Sequence, residues 1–187
     1  MQAINCPNCG APADDANSKS CAYCKSPFVL VAAKSLSGFS DQVLGKYSDL
    51  YKKVTRDDPD YLQCQISLTL VYLKRKLYPL ADSVTKKLIE DFPDQPDAYL
   101  WKALSMMKNG EIRKLKLTSA KEITSLLQVG FSLASEEIKR DFYILAKKLE
   151  SNYFAHNGIS IPIEIIGITS EVLTDHEDSL INQVLET

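Results

Sequence analysis

Four of the chain's five cysteines fall in two hooks of equal spacing, Cys6-Pro7-Asn8-Cys9 followed by Gly10, and Cys21-Ala22-Tyr23-Cys24. A Cys-x-x-Cys pair folds round a metal as one tight turn, and the run from Gly10 to Ser20 can bring the second hook back opposite the first. The result is an all-sulfur tetrahedron, a soft ligand set that selects zinc first and iron second. Four thiolates close the coordination shell and leave no water position, so the expectation is one structural zinc ion and not a catalytic one. Disulfides or a redox dithiol are the other chemistry open to these residues. Met1-Gln2-Ala3-Ile4-Asn5 has neither the basic nor the apolar region of a signal peptide. The chain is therefore expected in a reducing cytoplasm, where paired hooks hold metal more readily than they oxidise.

Little else carries reactive chemistry. Cys64, between Gln63 and Gln65 in a helical stretch, reads as a core or half-buried thiol. His156 beside a helix C-terminus and His176 inside a capping box are expected to act locally. Asp57, Asp58, Asp60, Asp91 and Asp94 flank prolines and read as turn residues. There is no phosphate-binding loop, dinucleotide glycine motif or nucleophile elbow, so nothing points to an enzyme. A net charge of −2 draws the chain to neither nucleic acid nor an anionic membrane. Within residues 1–30, Lys19 and Lys25 only balance Asp14 and Asp15. A tetrathiolate zinc adds about −2. Nucleic-acid affinity rests on Lys and Arg against phosphate, so that role is disfavoured. The pairs Lys52-Lys53, Lys86-Lys87 and Lys147-Lys148 read as solvated helix faces. The longest apolar run, Ile159 to Ile168, is broken by Ser160, Pro162 and Glu164 and is too short to span a bilayer.

The elements that must position the hooks follow from patterning. The first thirty or so residues are too poor in apolar side chains for a core. Ligation would supply their folding energy, on the order of 10–16 kcal/mol in structural zinc peptides. Phe28-Val29-Leu30-Val31 offers a closing strand or a dock, and residues 35–40 read as linker. From Ser40 the spacing becomes helical: Val43, Leu44, Tyr47, Leu50, Tyr51 and Val54 form one stripe, stopped by Asp57-Asp58-Pro59. Further helices are expected from Pro59 to Lys74-Arg75-Lys76, over Leu80–Asp91 and over Asp97–Lys108. Others follow from the capping box at Ser119-Ala120-Lys121-Glu122, from Ser135 to near Asn157-Gly158, and after Thr174. The alternating stretch 159–168 fits strand or helix. The expected organisation is a metal module over 1–31, a linker over 32–39 and a helical domain over 40–187, with about seven helices in antiparallel pairs.

Two resemblances sharpen this. The first hook, Cys-Pro-x-Cys-Gly, resembles the usual first knuckle of the zinc-ribbon family, which implies a small β-knuckle module ligated by Cys6, Cys9, Cys21 and Cys24. Asp57-Asp58-Pro59-Asp60 and Asp91-Phe92-Pro93-Asp94 recur with a period of 34, as in tetratricopeptide repeats. Leu68, Tyr72 and Ala81 match that family's large and small positions, as do Tyr99 and Ala103 in the next unit. Thr69, Thr85 and Leu88 depart from it, and the pattern fades after Gly110. The resemblance implies a mostly α protein, a short solenoid of antiparallel helix pairs. Its concave face would present Gln63, Ile66, Leu70 and Lys74, with Asp97, Leu100, Leu104 and Lys108 one repeat on. That face would suit an extended peptide with acidic groups; the other reading makes the apolar four core and the lysines solvated. The expected function is a non-enzymatic zinc-binding adaptor joining protein partners. A nucleic-acid-associated regulator reading through the ribbon is the alternative, and an accessory part of a larger enzyme assembly is the third.

Overall fold

Ser40 sits in extended backbone and its hydroxyl accepts the Val43 amide at 3.4 Å, which starts helix α1 (Asp41–Tyr51). This computed structural model describes residues 5–13, 18–29, 36, 38–108 and 111–159. Among them are six helices, so the chain is mostly α, and they pack as consecutive pairs within two compact units, Met1–Leu77 and Tyr78–Thr187. The end of the 28–31 apolar run, most of the 32–39 stretch, residues 109–110, the 160–168 run and the Thr174 capping box with His176 lie outside the described residues.

The first unit holds the cysteine module with α1 and α2 (Tyr61–Lys74). Helix α1 buries one stripe, Leu44, Tyr47, Ser48 and Tyr51. It stops three residues short of Val54, because Lys53 and Val54 donate to Leu50 and Tyr51 in tighter i→i+3 bonds that lead into the proline turn. In that turn Asp58 accepts the Asp60 amide at 2.9 Å, as turn aspartates do. Helix α2 is buried all round its central turns, and Ser67 and Thr69 satisfy their hydroxyls on the carbonyls of Gln63 and Gln65. It closes in a left-handed turn at Lys76, with Leu77 donating to Tyr72 and Lys76 to Leu73. Arg75 then clamps Asp41 with two bonds from its guanidinium, tying the end of α2 to the start of α1.

The second unit comprises α3 (Tyr78–Asp91), α4 (Pro96–Lys108), α5 (Leu117–Leu133) and α6 (Glu136–Leu149). Helix α4 is the centre and packs on the other three, with Leu100, Ala103, Leu104 and Trp101 buried. Buried Lys102 on α4 pairs with Asp82 of α3 at 2.5 Å. Gly130 lets α5 approach closely: a Cβ there would collide with the Phe142 ring and lie 2.8 Å from the Tyr99 Cβ. Helices α3 and α4 start two residues and one residue before the sequence reading, and two further boundaries in this unit differ for local reasons. Helix α5 begins two residues before the Ser119 capping box, because the extended Lys116 already offers its carbonyl to Ala120 (3.0 Å). Helix α6 does not run unbroken to Asn157. After Leu149 the ladder widens to i→i+5, with Ala155 donating to Glu150 at 2.9 Å over Glu150–Phe154. That insertion accompanies the burial of two consecutive aromatics, Tyr153 and Phe154, whose rings meet edge to face at 5.2 Å.

Candidate metal centre

Each hook is a turn built the same way. Gly10 donates to the Cys6 carbonyl (2.8 Å) and the Cys6 amide to Ala11 (2.7 Å). Fifteen residues on, Lys25 donates to Cys21 (2.9 Å) and the Cys21 amide to Ser26 (2.9 Å). Bridge pairs Asn5–Pro12 and Ser20–Pro27 close the two turns in equivalent places and are the only β pairing among the described residues. Gly10 takes a left-handed φ, and Lys25 takes the same conformation despite its side chain. The absence of glycine after the second hook thus leaves its fold unaltered and adds local strain.

The turns bring the four sulfurs together. Sγ atoms of Cys6, Cys9, Cys21 and Cys24 all lie within 4.8 Å of one another. Cys6–Cys24 and Cys9–Cys21 stand at 3.6 Å, so each close pair joins one hook to the other. A metal with arms of about 2.3 Å in a tetrahedron needs edges of roughly 3.8 Å. The donor set therefore fits one metal ion of that size. Cys6 and Cys21 are buried with Phe28, and Ala11, Ala13 and Cys24 pack around them. The core of the module is thus largely its own ligands.

Electrostatics grades the thiols. The Ser26 hydroxyl, then its amide, bring Cys24 down to about 6, so this sulfur ionises first. Burial pushes Cys6 up. At Cys9 the Ala11 amide acts downward, but burial and the three other sulfurs carry it up to about 12. A bound cation would override this order, because a coordinating thiol is deprotonated outright. Cys6, Cys9, Cys21 and Cys24 would hold such a cation as thiolates, Cys24 being the readiest to ionise and the raised Cys6 and Cys9 releasing their protons on ligation. Ser26 also accepts from Asn8 Nδ2 at 2.8 Å, so one residue links both hooks.

Two tyrosines hold the module from behind. Tyr47 Oη donates to the Pro27 carbonyl at 2.7 Å and Tyr51 Oη to the Phe28 carbonyl at 3.0 Å. Both rings are buried, 5.9 Å apart, with Phe39 5.3 Å from Tyr47. Burial, and after it the charge of the four sulfurs, drives the Tyr47 phenol well above its ordinary range. Helical periodicity marks these two only as stripe residues. The further signal in the sequence is a pair of phenols on an otherwise apolar face, since a buried hydroxyl must find an acceptor.

Cys64 is fully buried, and burial followed by the charges of Asp60 and Asp58 pushes its thiol up to about 12. His156 is exposed in the turn before Gly158. Of the eight residues assigned to a concave face, Ile66, Leu70, Leu100 and Leu104 are buried, whereas Gln63, Lys74, Asp97 and Lys108 are half-buried. Burial, with the Asp141 charge second, raises the Asp97 carboxyl. No described helix is long and apolar enough to cross a membrane. No protein family, curated protein or solved structure matches the chain.

Proposed function

We propose that the chain is a non-enzymatic zinc-binding adaptor, a zinc-ribbon-like module joined to helices that resemble a short repeat and mediate protein–protein interaction. The observation that carries this reading is the convergence of four thiol sulfurs with no fifth donor group beside them among the described residues. Such a set saturates zinc and leaves no site for a reactive water, which suits a structural ion. The paired turns, each with a bridge after a left-handed residue, support the ribbon resemblance. Burial of Leu68, Tyr72, Ala81, Tyr99 and Ala103, the repeat's large and small positions, supports the helical one. With Ile66 and Leu70 of the first unit and Leu100 and Leu104 of the second taken up inside, the positions left for a partner are Gln63 and Lys74 in the one and Asp97 and Lys108 in the other, each unit taken by itself. The test is elemental analysis of the full chain purified in reducing buffer, with partner capture before and after chelation. One equivalent of zinc, and a nuclease-insensitive partner lost on chelation, is expected. Absence of a stoichiometric metal refutes the reading, and steeply salt-dependent retention on nucleic acid would replace adaptor by reader.

A further inference from the structure

We propose that Tyr47 and Tyr51 are positioning residues for the metal centre, joining ligation by the second hook and the folding of α1 into a single event. This coupling rests on the metal reading above and goes beyond it: occupancy of the centre would set the order of a helix, and the helix would set how firmly the metal is held.

The module has almost no core of its own. Its buried cluster is Cys6, Cys21 and Phe28, so without a cation little apolar packing keeps the turns closed. Stiffness must come from outside, and among the described residues the structure supplies it from helix α1. Pro27 and Phe28 follow closely on the second hook, and their carbonyls take the two phenol protons at 2.7 and 3.0 Å. Pro27 pairs with Ser20, and the Ser26 carbonyl takes the Cys21 amide, so the clamped segment borders both cysteines of that hook. Ser26 passes the constraint to the first hook through Asn8. A continuous chain of hydrogen bonds and backbone thus runs from α1 to both hooks.

The coupling acts in both directions. Tyr47 and Tyr51 supply two of the four buried residues on α1, so α1 can dock as it does only where Pro27 and Phe28 are in place. Conversely, a hook already held by two hydrogen bonds, one buried and one partly buried, loses less freedom when it ligates. By linkage, whatever factor the docked helix contributes to metal affinity, the metal returns to the helix. The expected pattern is a first unit that loosens as one body on chelation, while the second unit is unaffected.

The test uses the full chain loaded with zinc, comparing wild type with Tyr47→Phe/Tyr51→Phe and with Tyr51→Phe alone. All four ligands remain, and Phe keeps the ring while leaving each carbonyl without its donor. Two quantities are read: the rate of zinc transfer to a chromophoric chelator, and amide exchange along α1 and α4. In the wild type, chelation should speed exchange at Leu44–Tyr51 at least about tenfold and leave Leu100–Ser105 unchanged. The double variant should lose zinc at least about tenfold faster, with the single variant between, since each phenol–carbonyl bond is lost from a buried or partly buried site. A merely structural role would loosen α1 with no change in zinc transfer, and that outcome overturns the proposal. Indifference of α1 exchange to chelation overturns it as well. A wild-type chain that binds no zinc refutes the metal reading itself, a result distinct from both.

Discussion

Gly45 and Gly130 both stand inside helices, yet alanine at the two positions should act in opposite directions. At Gly45 on α1 the nearest group to an added Cβ is the Arg75 guanidinium at 3.8 Å, an ordinary contact. Alanine there gains the helix propensity that glycine lacks, about 0.5–1 kcal/mol. At Gly130 on α5 the same methyl would overlap the Phe142 ring and press on the Tyr99 Cβ at 2.8 Å. Phe142 is fully buried, so its ring has no open space to swing into, and the Tyr99 Cβ moves only with its backbone. Overpacking of this kind costs roughly 1–3 kcal/mol and sometimes more. Set against the propensity gain, Gly130→Ala should lose about 1–2 kcal/mol of stability. Trp101 is the chain's single tryptophan and is buried in α4, so its fluorescence reports on the second unit in a urea titration. A lower midpoint with unchanged slope is expected for Gly130→Ala, and slower amide exchange along α1 for Gly45→Ala. Trimming the ring in a Gly130→Ala/Phe142→Leu double variant should recover part of the first loss, a non-additivity that marks direct contact. A Gly130→Ala midpoint at or above wild type would refute the close-approach reasoning.

Other outcomes follow from the same geometry. Zinc affinity should fall steeply as pH drops below neutral, because Cys24, near 6, and the raised Cys6 and Cys9 must all give up protons to ligate; competition titrations at several pH values read this. Asp97→Asn should stabilise the second unit at neutral pH. A carboxyl raised by folding favours the folded chain only when protonated, so the gain over wild type should vanish as pH falls through that group's range, as urea midpoints at pH 4 and 7 would show. Lys25→Gly should relieve about 1 kcal/mol of left-handed strain, whereas Gly10→Ala introduces a similar cost with no steric contact; thermal melts of the zinc-loaded chain compare them. With metal bound, Cys64 should resist alkylation until the chain unfolds, its thiol being buried and pushed up to about 12; mass spectrometry after a timed iodoacetamide pulse counts it.

Much of this is legible in the sequence because it is local. Two Cys-x-x-Cys spacings announce converging sulfurs, and three- and four-residue apolar steps announce helices whose observed ends lie only a few residues away. Burial of Cys64 and the turn bond of Asp58 likewise follow from immediate neighbours. What escapes depends on distant partners. Tyr47 and Tyr51 bond carbonyls 20 and 23 residues away, which no periodicity encodes. The start of α5 precedes its capping box because a backbone carbonyl at Lys116 can open a helix without a capping side chain. The widened turn at Glu150–Phe154 accompanies the burial of adjacent aromatics, a tertiary demand that leaves no mark on helical spacing. A capping-box motif therefore says that a helix is near, and the backbone just upstream decides its first residue.

The fifteen-residue equivalence of the two hooks has a consequence for assembly. Each half contributes two sulfurs in the same backbone frame, and its close contacts are with the opposite half, Cys6 to Cys24 and Cys9 to Cys21. Nothing in that chemistry distinguishes a half from the same chain from one offered by another molecule. Closure within one chain is favoured by the tether, through an effective concentration on the order of millimolar for a short connection. At protein concentrations approaching that value, hooks exchanged between two chains would complete two tetrahedra with the same eight sulfurs, and the zinc ions would become the rivets of a reciprocal dimer that chelation dissolves.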